Sequence, residues 1–123
     1  MNEQLSHTTL EEFRTLYPEK FVSIYKAFSH IHRGDSIFIG TACGEPQYLV
    51  NEFIDHVSNH PEALFDAEIV QVYTLGFAPY TDKKFKKNFR HNCFFIGENN
   101  REAVNNVTAD YAPTFLSEVP KLI

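Results

Sequence analysis

The sequence contains no tryptophan and only two cysteines, Cys43 and Cys93. The two lie far apart, outside any C-x-x-C or Cys/His ligand spacing, so neither a disulfide scaffold nor a zinc site is indicated. No apolar run approaches the length of a membrane span, and the opening Met-Asn-Glu-Gln lacks the basic start and apolar region of a signal peptide. A soluble, cytoplasmic protein without membrane contact is therefore expected. Positive charge is in deficit too, with a formal net charge of −5. Binding nucleic acid as the main task needs a net basic face, so that class is set aside, while one local anion site is still allowed. Neither G-x-G-x-x-G nor G-x-x-x-x-G-K-[ST] occurs, so the dinucleotide and phosphate-loop fingerprints are both missing. Internal repeats, linkers and low-complexity segments are missing as well.

What is present is a chain of 123 residues, 43% hydrophobic and 15% aromatic with twelve Phe, enough for one globular domain with a real core. Its organising stretch runs from Asp35 to Glu52. Ile37, Phe38 and Ile39 form the short apolar run of a buried strand, and Gly40 and Gly44 then bracket a small-residue turn. Pro46 has its φ preset for a first helical turn, and Leu49, Val50, Phe53, Ile54 and Val57 continue at helical spacing. Strand, glycine loop, helix is the reading. Such a junction leaves unpaired N–H groups at the positive end of a helix, which favours a phosphate, a carboxylate or a developing oxyanion. On the loop alone, a glycine turn that merely reverses the chain is the stronger reading.

Residues 1–18 read as a leading segment, with a cap at Thr8 or Thr9 ahead of a short helix carrying Leu10, Phe13 and Leu16. After Pro18, the residues Phe21, Val22, Ile24, Tyr25, Phe28 and Ile31 share one helical face, and Arg33-Gly34-Asp35 stops it. The helix from Pro46 ends at His60-Pro61. Residues 67–74 then predict a second strand, 75–80 a loop, 81–88 a short helix or turn and 93–96 a third strand. Residues 101–107 look helical, and 111–116 make a fourth extended segment bent at Pro113. Ser117 is placed to cap a helix at the end of the chain, which implies a domain, residues 19–123, cut before completion. Strands separated by helices predict an α/β fold: an open, mainly parallel sheet with helices on both faces. Ligands of such sheets bind beyond the carboxyl ends of the strands, where the loops at 40–46, 76–79 and 97–100 would gather.

Several side chains invite chemistry. Cys43 lies just before a helix N-terminus, which stabilises a thiolate, but no motif supplies its base, so a small packed thiol is preferred over a nucleophile. His56 and His60 have a metal-compatible spacing. The glutamate of H-E-x-x-H is absent and Pro61 ends the helix, so favourable placement at the negative helix end is preferred and no metal is expected. Lys83, Lys84, Lys86, Lys87 and Arg90, interleaved with Phe85 and Phe89, form a basic patch that is either a solvated face or a grip for nucleotide-like phosphates or RNA. Arg90, His91 and Asn92 are read as lying directly before the third strand, where they offer donors and one titratable ring, or hold the turn.

Four stretches carry a resemblance. They are Gly-Asp-Ser-Ile-Phe-Ile-Gly-Thr-Ala-Cys-Gly-Glu-Pro-Gln (34–47), Phe-Arg-His-Asn-Cys-Phe-Phe-Ile-Gly (89–97), Arg-Glu-Ala-Val-Asn (101–105) and Ala-Asp-Tyr-Ala-Pro-Thr-Phe-Leu-Ser-Glu-Val-Pro (109–120). In this order they resemble the N-terminal domain of the acetyl-CoA hydrolase/transferase family, most closely its 4-hydroxybutyrate and butyryl-CoA:acetate CoA-transferase branch, over nearly all of residues 21–123. The resemblance implies a two-domain α/β enzyme that moves coenzyme A between an acyl-CoA and a short carboxylic acid such as acetate, butyrate or 4-hydroxybutyrate. A glutamate attacks the thioester, giving an acyl-glutamyl anhydride and then a glutamyl-CoA thioester, through oxyanions that backbone N–H groups stabilise.

The same resemblance places the glycine loop near that chemistry. Together with the gathering loops and the donors noted above, this makes Gly40, Thr41, Ala42, Cys43, Gly44, Glu45, Pro46, Gln47 and Gly76, with Arg90, His91 and Asn92, the expected substrate-binding residues. The loop reads Gly-Thr-Ala-Cys-Gly-Glu-Pro, without the double-glycine-Phe of some more distant CoA-transferases. The family's nucleophilic glutamate belongs to a C-terminal domain that nothing here matches, and Glu45, Glu52 and Glu98 do not take its place. The expectation is an N-terminal piece, inactive alone, whose partners are acyl-CoA, a short carboxylate and the C-terminal domain, and which is part of a homo-oligomer when full length. Coenzyme A is its substrate, and no bound cofactor is expected. The alternative is a free-standing, non-catalytic α/β ligand-binding or interaction module.

Overall fold

Residues 9–76 and 78–123 are described by the computed structural model. Strands β1 (Ser36–Phe38), β2 (Ala67–Gln71), β3 (Phe89–Cys93) and β4 (Ala109–Tyr111) form one sheet in the order β1-β2-β3-β4, with each neighbouring pair parallel. The helices are α1 (Leu10–Leu16), α2 (Ile24–Phe28), α3 (Gln47–Asn59) and α4 (Glu98–Asn105), with short 3₁₀ turns between and after them. The fold is thus the open parallel α/β sheet read from the sequence, with helical segments on both faces.

Side chains alternate across a strand, so the register sorts the sheet into two faces. Ile37 pairs with Ile69, Ile69 with His91, and His91 with Ala109. This row faces α3, whose Val50, Phe53, Ile54 and Val57 recur at one helical face and are buried. Together with Leu64, Tyr80, Phe85 and Phe89 they form the main core. On the other face Val70 and Phe94 pack under Val119 of the 3₁₀ stretch Leu116–Lys121. The rest of that face is a polar ladder. The Ser36 hydroxyl and the Asn92 amide donate to Glu68 at 3.1 and 3.0 Å, and Arg90 pairs with Asp110.

The leading helix forms as its cap requires. Thr9 Oγ1 accepts the Glu12 N–H and Glu12 returns to the Thr9 N–H, a reciprocal capping box. Thr8 lies outside the described residues. Other boundaries differ from the sequence reading. Helix α2 is shorter than the apolar stripe from Phe21 to Ile31, because Ser23 caps it and Val22 stays exposed. Strand β2 ends at Gln71, since the side chain of Thr41 and not a strand meets the backbone of Tyr73. Strand β3 is Phe89–Cys93, four residues earlier than 93–96, so Arg90, His91 and Asn92 lie inside it. Strand β4 is likewise earlier, and α4 starts at Glu98 because the Asn100 side chain accepts the Gly97 N–H. Ser117 caps nothing; the last helical stretch is 3₁₀, begins after Phe115 and contains Pro120. Pro46 is the residue before α3 and not its first turn.

Candidate functional site

Three loops leave the carboxyl ends of β1, β2 and β3, and side chains tie them together. Beyond Phe38 the chain keeps its place beside β2 without strand pairing. The Thr41 hydroxyl accepts the Tyr73 N–H at 2.6 Å and donates to the Tyr73 carbonyl, while the Ala42 N–H reaches that same carbonyl at 3.1 Å. A threonine hydroxyl thereby does what a main-chain pair does in a ladder. Ala42 has φ 51, a left-handed residue that turns the loop back on itself. The turn is tight enough that a Cβ on Gly40 would lie 2.6 Å from the Gly44 carbonyl.

Glu45 closes the contact to the second loop. It is only 8% exposed, and its Oε2 accepts the Gly76 N–H at 3.0 Å, while Oε1 is buried with no partner among the described residues. Gly76 leaves room for both side chains: a Cβ there would lie 1.9 Å from Gln47 Nε2 and 2.7 Å from Glu45 Oε2, so a larger residue would have to displace them. From α4, Asn99 Nδ2 donates to the carbonyls of Leu75 and Gly76 at 2.5 and 2.6 Å. A Cβ on Gly97 would stand 2.9 Å from the Thr74 carbonyl. The three loops therefore gather as expected of a parallel sheet.

Beneath them lies a buried polar cluster that sequence reasoning missed. Gln71, the last residue of β2, is fully buried. Its Oε1 accepts from the hydroxyls of Thr74 and Tyr80 at 2.5 and 2.7 Å, and its Nε2 donates to the Gly40 carbonyl at 3.4 Å. Burial, with the nearby Glu45 charge, raises the Tyr80 hydroxyl well above its ordinary range, so it stays a donor. The signal was available: a glutamine inside the apolar run Ile69-Val70-Gln71-Val72 needs partners.

The loop's amides are mostly engaged, which corrects the expectation of an open fan. The N–H groups of Ile39, Ala42, Gly44, Glu45 and Gln47 bond to main-chain carbonyls. Those of Gly40, Thr41 and Cys43 take no such bond among the described residues. Nor does any side chain cap α3, which leaves the Tyr48 and Leu49 amides of its first turn without a capping partner among the described residues.

The remaining candidates fall elsewhere. Arg90 is committed to Asp110, on the face away from α3, with Asn92 beside it. His91 is buried on the core face, edge-on to the Tyr80 ring at 5.0 Å, and neither ring nitrogen has a partner among the described residues. Its burial lowers its pKa to about 4. These three do not join the loops, because they belong to a strand whose polar residues disguise it. Cys43 is exposed, contrary to the packed thiol expected. His56 and His60 end α3 with rings 5.2 Å apart against Tyr25, and His60 is the C-terminal cap. Among the described residues no group of three or more His, Cys, Asp or Glu is placed to hold a metal ion, and no helix is long and apolar enough to cross a membrane. The lysines around Phe85 are exposed, with Lys84 Nζ 4.7 Å above its ring.

Comparison with known proteins agrees with this geometry. The chain is 38% identical over 111 residues to a 4-hydroxybutyrate coenzyme A transferase of Clostridium kluyveri, covering 90% of this chain and 25% of that protein. It is 32% identical over 97 residues to a succinyl-CoA:acetate/propanoyl-CoA:succinate CoA transferase of Fasciola hepatica, covering 79% and 20%. The chain thus spans a quarter or less of the length of these relatives. In fold it matches the crystal structure of RipA from Yersinia pestis with TM-score 0.73 at 18% identity, over 91% of this chain and 28% of that one. The model of the acetyl-CoA hydrolase/transferase N-terminal domain matches residues 5–123. With the parallel sheet and its stapled glycine loop, that match means that the chain belongs to the acetyl-CoA hydrolase/transferase family, of which it carries the N-terminal domain.

Proposed function

We propose that this chain forms one side of a cleft in which coenzyme A passes between an acyl-CoA and a short carboxylic acid, such as acetate, butyrate or 4-hydroxybutyrate. Family membership supports the reaction class. One observation supports the place: among the described residues the N–H groups of Thr41 and Cys43 have no partner, while the carbonyls of their own peptides, on Gly40 and Ala42, are held by Gln71 and by the Glu45 N–H. Gly40, Thr41, Ala42, Cys43, Gly44, Glu45, Pro46, Gln47 and Gly76 form the ligand side in this reading. Arg90, His91 and Asn92 take no part in it.

In the proposed reaction, a glutamate carboxylate from a C-terminal domain attacks the thioester carbonyl and expels coenzyme A thiolate, leaving an acyl-glutamyl anhydride. The thiolate then attacks the glutamyl carbonyl and expels the first acid as its carboxylate. The acceptor carboxylate attacks the resulting glutamyl-CoA, and the returning thiolate takes the new acyl group. Every step gathers negative charge on a carbonyl oxygen, and a preset N–H donor is worth roughly 3 kcal/mol there. The whole enzyme of this reading is a cytoplasmic homo-oligomer.

Acetyl-CoA added to the ¹⁵N-labelled chain is expected to move the amide signals of Thr41, Cys43 and Gly76, while acetyl-CoA:butyrate exchange by the chain alone stays at background. Turnover by the chain alone at the rate of an ordinary enzyme would sink the reading, and so would silence of the amides in 40–47. A response confined to other residues would instead favour a non-catalytic ligand-binding module.

A further inference from the structure

We infer that Gln71 is a positioning residue, which holds the Gly40–Thr41 peptide so that the Thr41 N–H is presented to the ligand. The inference rests on the reading above, in which this loop receives the thioester or carboxylate oxygen.

The argument starts from what each atom can do. A carbonyl only accepts, so the Gln71 atom that lies 3.4 Å from the Gly40 oxygen is the amide nitrogen. Its oxygen is then left for the Thr74 and Tyr80 hydroxyls, both of which can donate to it. The glutamine is locked in one orientation by three partners. No other donor to the Gly40 carbonyl occurs among the described residues. In a trans peptide the C=O and the following N–H point in opposite directions. Because the Gly40 carbonyl points down at a fully buried side chain, the Thr41 N–H points away from the core.

Gly40 needs this anchor. It has no side chain to restrict it, since a Cβ would strike the Gly44 carbonyl, and glycine leaves its peptide free to tilt. Released from Gln71, the Thr41 N–H loses its preset aim. Glutamine holds the two hydroxyls through its oxygen and the carbonyl through its nitrogen at once, without a buried charge.

The test compares variants by the ¹⁵N titration with acetyl-CoA. Gln71→Glu keeps the acceptor for both hydroxyls but turns an oxygen toward the Gly40 carbonyl. Gln71→Met removes every polar atom at similar volume. Tyr80→Phe removes a hydroxyl from the same buried cluster and leaves Gln71 oriented by its two remaining bonds, to Thr74 and to the Gly40 carbonyl. If Gln71 positions the peptide, both Gln71 variants weaken acetyl-CoA binding tenfold or more, whereas Tyr80→Phe stays within twofold of the wild type despite its loss of stability. Gln71 variants that bind like Tyr80→Phe would overturn the inference and leave the proposed function standing. Should neither Gln71 variant fold, the wild type decides: its Gln71 side-chain amide signals must titrate with Thr41 at one dissociation constant, and their failure to move refutes the role. A wild type silent at both Thr41 and Cys43 removes the proposed function and this inference together.

Discussion

His91 shows what one residue does to the pH profile of the whole chain. Its strand neighbours are Ile69 and Ala109 and its ring meets that of Tyr80, with Asp110 as the charge that acts on it. Burial disfavours the imidazolium, which lowers the pKa from 6.5 to about 4, and Asp110 offsets this only in part. Between those values the unfolded chain binds the proton and the folded one does not. Stability is therefore full above pH 6.5 and is lost as pH falls through 4, by about 3 kcal/mol at the limit. Urea unfolding at pH 7.5 and 4.5 should show this loss in the wild type and a smaller one in His91→Leu. Equal losses in the two proteins would assign the effect to the carboxylates. A second residue works in the other direction. Val107 has φ 57 and is 77% exposed at the end of α4. There the Thr108 N–H reaches the Ala103 carbonyl and the Val107 N–H reaches Val104, the double closure that places glycine at this position. A β-branched residue in the left-handed region is strained, so Val107→Gly should stabilise by about 1 kcal/mol, net of the extra chain entropy. Thermal unfolding that shows no gain would mean that the strain is relieved elsewhere.

At the scale of elements, the glycine loop makes a sharper demand than composition alone reveals. Gly40→Ala puts a Cβ against main chain that is tied to Thr41 and cannot retreat, whereas a Cβ on Gly44 meets nothing within 4 Å. Gly40→Ala is expected to cost about 1–3 kcal/mol, the range for overpacking, and Gly44→Ala about 0.5 kcal/mol or less. Equal costs in chemical denaturation would show that the loop opens freely. The strand-loop-helix unit around these glycines was legible in the sequence, because Ile37 to Ile39, the glycines and the spacing of α3 all carry local signals. Strand β3 was not. Its Arg90, His91 and Asn92 look like loop residues, yet the Arg90 guanidinium and the Asn92 Nδ2 find lateral partners in Asp110 and Glu68 on neighbouring strands. Only the sheet supplies those partners, so no window of local sequence contains them. For the same reason Gln71 was read as one more strand residue. Its role depends on Gly40 and Tyr80, which are distant in sequence and adjacent only after folding.

For the molecule as a whole, the two faces of the sheet are covered unequally. Parallel sheets are ordinarily buried on both sides. Here α3 and the main core cover one face, while the other has Val70, Phe94 and Val119 with few further apolar partners. Around that smaller cluster Phe38, Leu116, Leu122 and Ile123 are exposed, and Phe115 is 81% exposed. Exposed apolar side chains beside a thinly covered sheet face favour association. Sedimentation of the chain should therefore show a weight-average mass that rises with concentration. Replacing Phe115 and Leu116 with serine removes side chains that the fold does not bury, so the unfolding free energy should change by no more than about 0.5 kcal/mol. The same double variant should sediment as a monomer at concentrations where the wild type associates. If it still associates, the contact lies instead along the open edge of β1, where Phe38 and Leu49 border an apolar groove with Ile37, Pro46 and Phe28. Leu49→Ser would then be the variant that dissociates it.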